Sequence, residues 1–254
     1  MPTVFITAGA NNTGYAIAEK FAKEGFDIAI SSRSENEIKA AEKQLKDKYQ
    51  AKVKGYILEL TDLNNITSVF SKIKKDFGTL DTFVANAANL GVGLDFLSTT
   101  EEEYDSVIDT NLKGSFFTAQ QAAKVMKEQG KGSIVFISSV HSKQAIFGRS
   151  LYASSKGGIN VLSKTLSIEL AQYGIRSNCI IAGAICTNRW DNFTEEQKNA
   201  KRANWPLGIE STGEDIANGV FYLGTDLSKT VTGTELTIDS GLLNCLLPYK
   251  EMCK

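Results

Sequence analysis

Several features are scarce in this sequence, and each shortage removes a class of protein. Proline occurs only three times in 254 residues, at Pro2, Pro206 and Pro248, and none of the three interrupts a proposed element. No linker, low-complexity tract or internal repeat is visible. There is one histidine, His141, and the four cysteines, Cys179, Cys186, Cys245 and Cys253, lack C-x-x-C spacing. That leaves no metal site and no disulfide framework, and suits reduced thiols in a cytosolic protein. Lys plus Arg total 28 against 29 for Asp plus Glu, so there is no net positive field to hold a nucleic-acid backbone. No apolar run approaches the roughly 18 residues of a membrane span, and strand-like "TVFIT" begins at residue 3, where a leader would need a basic and then an apolar stretch. The expectation is a soluble, cytoplasmic protein with no metal, nucleic-acid or membrane partner.

What is present is regular. With 42% hydrophobic residues, the chain has enough for one large core over 1–254. Short β-rich runs, "TVFIT" (3–7), "DIAIS" (27–31), "KVKGYIL" (52–58), "DTFVA" (81–85), "SIVFIS" (133–138), "RSNCII" (176–181) and "ELTID" (235–239), alternate with long amphipathic stretches. In "GYAIAEKFAKEG", Ile17, Phe21 and Ala22 share a face and Gly25 stops the helix. Thr100 with Glu103 and Thr194 with Gln197 have capping-box spacing. Strands that are apolar throughout are buried on both faces. This pattern predicts an α/β fold, a Rossmann-like doubly wound parallel sheet of about seven strands in one domain, with helices on both faces. Residues 188–210 belong to no strand and read as a lid insertion.

Ligands of such sheets sit beyond the carboxyl ends of the strands. The first turn, "TAGANNTGYAIA", leads into a helix start, whose free N–H groups and dipole favour a pyrophosphate. With only Gly9 and Gly14 present, the turn by itself is a weak signal, and the competing reading is an ordinary strand-to-helix turn in which Asn11 and Asn12 accept tight geometry. Later, "RSLYASSKGGINVL" sets Tyr152 and Lys156 four residues apart, on one helix face. An ammonium roughly 5 Å from a phenolate, at an effective dielectric of about 20, favours ionisation by about 3 kcal/mol, on the order of two pKa units. On the pair alone, a packed tyrosine beside a snorkelling lysine is the competing reading.

These residues resemble the classical short-chain dehydrogenase/reductase family almost end to end. The family turn T-G-x-x-x-G-x-G is matched at Thr7 and Gly14, with Ala8 and Asn12 replacing the first two glycines; Gly9 is expected to compensate for Ala8. "ANAA" (85–88) is similar to N-N-A-G and keeps Asn86. Glu59 stands where the family has an aspartate near the adenine. "AGAICT" (182–187) resembles P-G-x-x-x-T, with Ala182 for proline and Thr187 retained, and "VTGTELTIDSG" (231–241) resembles the closing strand motif.

The resemblance implies Tyr152 as proton donor, Lys156 as its modulator, Ser139 as carbonyl anchor and Asn111 holding a water that links Lys156 to solvent. It implies cofactor contacts from Gly9, Asn11, Asn12, Thr13, Gly14, Arg33, Glu59, Leu60, Asn86, Tyr152, Lys156, Ile185 and Thr187. An NAD site places a carboxylate at the end of the second strand, but here Ser32 stands there, followed by Arg33. Arginine–phosphate bonds are worth roughly 1.5 to 3 kcal/mol, so NADP (NADPH) is expected, with NAD the alternative. The implied activity is interconversion of a ketone and a secondary alcohol by hydride transfer, on a small or lipid-like carbonyl of 3-oxoacyl, steroid or sugar type. The rival is a non-catalytic NADP-sensing or scaffold protein. An epimerase of the extended family would need a further substrate domain, and an enoyl reductase a longer tyrosine–lysine spacing. His141 is expected at the pocket wall or the surface rather than in proton transfer, and Phe147, Trp190, Phe193 and Trp205 to cap an apolar substrate or simply to pack. Helices near 101–128 and 152–174 are the implied contacts of a homo-oligomer, a tetramer or dimer.

Overall fold

Seven short runs rich in valine, isoleucine and phenylalanine form one parallel sheet in the computed structural model, which describes residues 1–247 and 249–252. The strands are β1 (Thr3–Ile6), β2 (Asp27–Ser32), β3 (Val53–Ile57), β4 (Thr82–Ala85), β5 (Gly132–Ser139), β6 (Ile175–Ala182) and β7 (Glu235–Ile238). They lie in the order β3-β2-β1-β4-β5-β6-β7, so the winding reverses between β1 and β4. A crevice opens at that reversal, beyond the carboxyl ends of the strands.

Alternation of side chains along each strand feeds two cores. Phe5, Phe83 and Phe136 point to one face, against Ile66, Phe70 and Ile73 of α3 (Leu63–Phe77), Ala122 and Met126 of α5 (Gly114–Gln129) and Ile159 of α6 (Ser150–Glu169). Val4, Ile6, Val84 and Val135 point to the other, against α1 (Asn12–Lys23), α2 (Glu35–Tyr49) and α8 (Gly213–Gly224). On α1, the buried residues include Ile17, Phe21 and Ala22, and Gly25 follows at φ 83°. The edges depart from the expectation of strands buried on both faces. In β3, Val53 and Tyr56 are buried on opposite faces while Lys54 and Ile57 are exposed, and in β7 Thr237 is exposed, because the helix layers cover the edge strands only in part.

The helical stretch from residue 101 is interrupted: α4 (Glu101–Ile108) passes through a π-helical turn, Asp109–Lys113, into α5. Thr100 caps α4 and Thr194 caps α7 (Glu195–Arg202), both with the full capping box; a third box, Thr212 with Asp215, caps α8. After β6 come a 3-10 turn at Asn188–Trp190 and α7, where Trp190 and Trp205 meet at a tilt of 52°, 5.9 Å between ring centres. Phe147 does not join them. It is fully exposed, on the outward loop that precedes α6, so the expected four-ring cluster reduces to Trp190, Phe193 and Trp205. Pro248 and Cys253 lie outside the described residues; Cys179, Cys186 and Cys245 are free.

Candidate active site

The first turn is built by Thr7, Asn86 and Ser31. Thr7 Oγ1 accepts from the backbone N–H groups of Asn86 and Ala87 at 2.9 and 3.1 Å, and Asn86 Nδ2 donates back to the carbonyls of Thr7 and Ala8 at 3.1 and 3.3 Å. Ser31 Oγ accepts from Ala8 N. The expected compensation by Gly9 does not occur. Ala8 itself takes the left-handed conformation at φ 50°, and Asn12 does so at φ 46°. Gly9 serves packing instead, since a Cβ there would lie 2.7 Å from Ile30 Cγ2, and a Cβ on Gly14 would lie 2.1 Å from the Ala8 carbonyl oxygen. Only glycine at 14 lets α1 seat against this turn.

That seating leaves the start of α1 without a side-chain cap, as is also the case at the start of α6. Ser34, Asp62, Thr100, Thr194 and Thr212 cap five helices with side-chain oxygens, whereas Asn11 at the start of α1 makes no such bond. The first N–H groups of α1 therefore face the crevice without a side-chain acceptor, which is the arrangement that fits a dinucleotide's pyrophosphate.

Behind the crevice, Asn111 on the π-helical turn is completely buried. Its Oδ1 accepts from Asn89 N at 2.6 Å, and its Nδ2 donates to Asn89 O at 2.8 Å and Ser155 Oγ at 3.0 Å. Ser155 Oγ in turn donates to the Tyr152 carbonyl at 2.8 Å. Asn111 thus ties the loop after β4 to the first turn of α6. Both its amide hydrogens are committed, which leaves its side chain no donor for the water expected there.

Ser139 ends β5, its hydroxyl oxygen accepting from His141 N at 3.2 Å. The Lys156 ammonium lies 5.7 Å from the centre of the Tyr152 ring and donates to the Ile137 carbonyl at 2.7 Å. It is 2% exposed, and burial lowers its pKa from 10.5 to about 8. Cys179 offers no counter-charge, because burial pushes its thiol up to about 12. The His141 ring, edge-on to Tyr152 at 6.2 Å, is also held below its ordinary pKa, first by burial and then by the Arg149 cation.

Two adjoining cavities complete the crevice. One of about 660 Å³ is lined by Thr13, Asn86, Ser139, Tyr152, Lys156, Ile185 and Thr187, with Trp190 and Trp205 opposite. The other, of about 740 Å³, is lined by Asn11, Arg33, Glu59 and Leu60, and the two share Ala88 and Leu90. Of the expected site residues, Gly9, Asn12, Gly14 and Asn111 line neither; they shape the walls. Sequence reasoning missed Arg149, Lys201 and Asn204 in the first cavity and Glu37 in the second. Arg149 stands one helical turn before Tyr152, a spacing from which it could have been read. The other three reach the crevice only through tertiary packing.

A doubly wound sheet that gathers a serine, a tyrosine and a lysine at its topological switch defines a dinucleotide-dependent oxidoreductase. Residues 8–243 match the family model described as Enoyl-(Acyl carrier protein) reductase. The 3-oxoacyl-[acyl-carrier-protein] reductase FabG of Chlamydia muridarum is 33% identical over 239 residues, 93% of this chain and 95% of that one. The 3alpha-hydroxysteroid dehydrogenase of Mediterraneibacter gnavus is 33% identical over 238 residues, 92% of this chain and 94% of that one. A solved structure of a tyrosine-to-phenylalanine variant of ElxO with NADPH bound superposes with a TM-score of 0.88 at 28% identity, over 96% of this chain and 99% of that one. The chain belongs to the classical short-chain dehydrogenase/reductase family, NAD(P)-dependent oxidoreductases that act on CH–OH groups.

Proposed function

We propose that this protein interconverts a ketone and a secondary alcohol on a small or lipid-like substrate, with NADPH as its preferred dinucleotide. The observation that carries the reading is the convergence of Ser139, Tyr152 and Lys156 on one cavity wall beside the uncapped end of α1. The bound nicotinamide supplies or accepts the hydride. Tyr152 gives the proton to the substrate oxygen, and Ser139 donates a hydrogen bond to that oxygen as negative charge gathers on it. Lys156 makes the phenol a better acid by offering a cation in a poorly solvated site. Asn111 is a positioning residue, holding Tyr152's helical turn through Ser155.

The start of α1 would hold the pyrophosphate of a dinucleotide, and Glu59 and Leu60 its adenosine end. NADPH is favoured because Ser32, and no carboxylate, ends β2, and because Arg33 is exposed with no ion pair among the described residues; the Glu37 carboxylate, which accepts from Ser32 Oγ, works against it. Residues 188–210 act as the substrate lid, with Trp190 and Trp205 as its apolar lining. Relatives named for 3-oxoacyl, steroid and sugar substrates support a carbonyl compound of 3-oxoacyl, steroid or sugar type. Exposed Phe116 on α5, with Val161 and Ile168 on α6, supports a homo-oligomer, and free cysteines support a cytoplasmic location.

Tyr152→Phe tests the reading. Turnover, followed by nicotinamide absorbance across a panel of ketones and secondary alcohols, is expected to vanish while dinucleotide binding persists. Near-normal turnover in that variant overturns the proposal, and binding without turnover in the unmodified protein favours the sensor.

A further inference from the structure

The cavity holding Ser139 and Tyr152 is lopsided in charge. Arg149, Lys156 and Lys201 line it, and among the described residues no carboxylate does. Lys156 is turned inward to the Ile137 carbonyl. Arg149 is half-buried and spends one N–H, from Nη1 to the Leu90 carbonyl at 2.9 Å, so most of its guanidinium donors stay available. The Lys201 ammonium sits 4.8 Å from the centre of the Phe193 ring, another cavity residue. Neither Arg149 nor Lys201 has an ion pair among the described residues, although the neighbouring cations on α7 do: Lys198 meets Glu195 at 2.9 Å and Arg202 meets Glu210 at 2.6 Å.

Arg149 is half withdrawn from water without an ion-pair partner, and a ligand anion is what would complete it, with exposed Lys201 adding its charge from the rim. The pyrophosphate of the dinucleotide already has the open end of α1, so these two cations are left for the substrate. Burial, and then the Arg149 cation, hold the neighbouring His141 below its ordinary pKa, and Arg149 is the permanent charge beside Tyr152 at the cavity.

We propose that the substrate carries an anionic oxygen group, carboxylate or phosphate, held by Arg149 with Lys201 at the exposed rim, while its carbonyl meets Ser139 and Tyr152. The proposal rests on the ketone-reducing reading above and narrows it to acidic carbonyl compounds. Both tryptophans of the sequence, Trp190 and Trp205, line this cavity, so intrinsic fluorescence reports occupancy without turnover.

Three matched probes separate the possibilities: 4-acetylbenzoate, 4-acetylphenyl phosphate and the neutral methyl 4-acetylbenzoate, each titrated into the protein with NADPH present. One or both anions are expected to bind about tenfold to a hundredfold tighter than the ester, and which of them does identifies carboxylate or phosphate as the natural group. Arg149→Gln should reduce that ratio about tenfold, Arg149→Lys should restore part of it, and Lys201→Gln should give a smaller reduction. Added salt should weaken the anions and leave the ester unaffected.

Equal binding of all three probes to the unmodified protein overturns the inference. So does an unchanged ratio in Arg149→Gln, or a weaker grip on NADPH in that variant with the ratio intact. Should Arg149→Gln fail to fold for want of its bond to Leu90, the salt dependence and Lys201→Gln decide. Anion-selective quenching without reduction of any probe would sink the ketone-reducing reading and leave the anion site standing; reduction of ester and anions with equal efficiency would do the reverse.

Discussion

Replacing Lys156 by methionine removes an ammonium that the fold holds at 2% exposure, with a pKa lowered by burial from 10.5 to about 8. Below about pH 8 the lysine is protonated in both folded and unfolded chains, and the full cost of burying its charge is present. Between about pH 8 and 10.5 the unfolded chain binds a proton that the folded one has released, so stability rises with pH. Above 10.5 both forms are neutral and the cost is gone. A window about 2.5 pH units wide, at about 1.4 kcal/mol per unit, amounts to about 3 kcal/mol. Cys179 acts in the opposite sense: its thiol, raised by burial from 9.0 to about 12, keeps its proton in the fold after the unfolded chain has lost it, so stability falls above pH 9. The ammonium itself lowers the thiol's pKa, so Lys156→Met leaves the thiol protonated in the fold over this range as in the wild type, and the difference between the two proteins follows the ammonium. Urea unfolding without dinucleotide, from about pH 7 to about pH 11, should show wild type gaining about 3 kcal/mol on the variant across that window. Parallel curves would refute the reasoning, because they would mean that Lys156 is hydrated in the folded protein.

Other substitutions probe the remaining parts. Arg33→Ala should raise the Kd for NADPH about tenfold or more while barely moving that for NADH; equal effects defeat the assignment of Arg33 to a 2′-phosphate. Glu37, which lines the same cavity and accepts from Ser32 Oγ at 2.5 Å, puts a negative charge near that site, so Glu37→Gln should tighten NADPH about fivefold by the same titration, and weaker binding would count against it. Ala8→Gly relieves a left-handed alanine that costs about 1–2 kcal/mol, offset by about 0.5–1 kcal/mol of glycine entropy, so calorimetry should find the variant as stable or more stable by about 1 kcal/mol; a lower Tm contradicts this. Phe83, fully buried against the rings of Phe5 and Phe70 at 5.7 Å, should cost about 3–5 kcal/mol in urea unfolding when cut to alanine, and a loss below about 1 kcal/mol would show that the cluster refills the space.

Much of the architecture was legible along the chain because it is encoded in local chemistry. Apolar runs, helical periodicity and capping residues such as Thr100 and Thr194 act within a few residues of themselves, and seven strands alternating with amphipathic helices leave few ways to fold. Tyr152 and Lys156 were legible for the same reason, since one helical turn joins them. Ser139, Asn86 and Thr187 could be found only through family likeness, because they stand on separate strand ends.

Packing across the molecule decided the rest. Ile30, a strand away, denies position 9 a side chain, while the positive φ of the first turn falls on Ala8, and neither can be read from the turn's own residues. Trp190 and Trp205 meet while Phe147 points to solvent, although all three are equally apolar in sequence. Composition and periodicity therefore determined the sheet, its helices and the tyrosine–lysine pair, whose partners are near in sequence. The buried, acidified lysine and the unpaired Arg149 and Lys201 came only from the tertiary structure, because solvation and charge pairing depend on neighbours that the chain brings together from far apart.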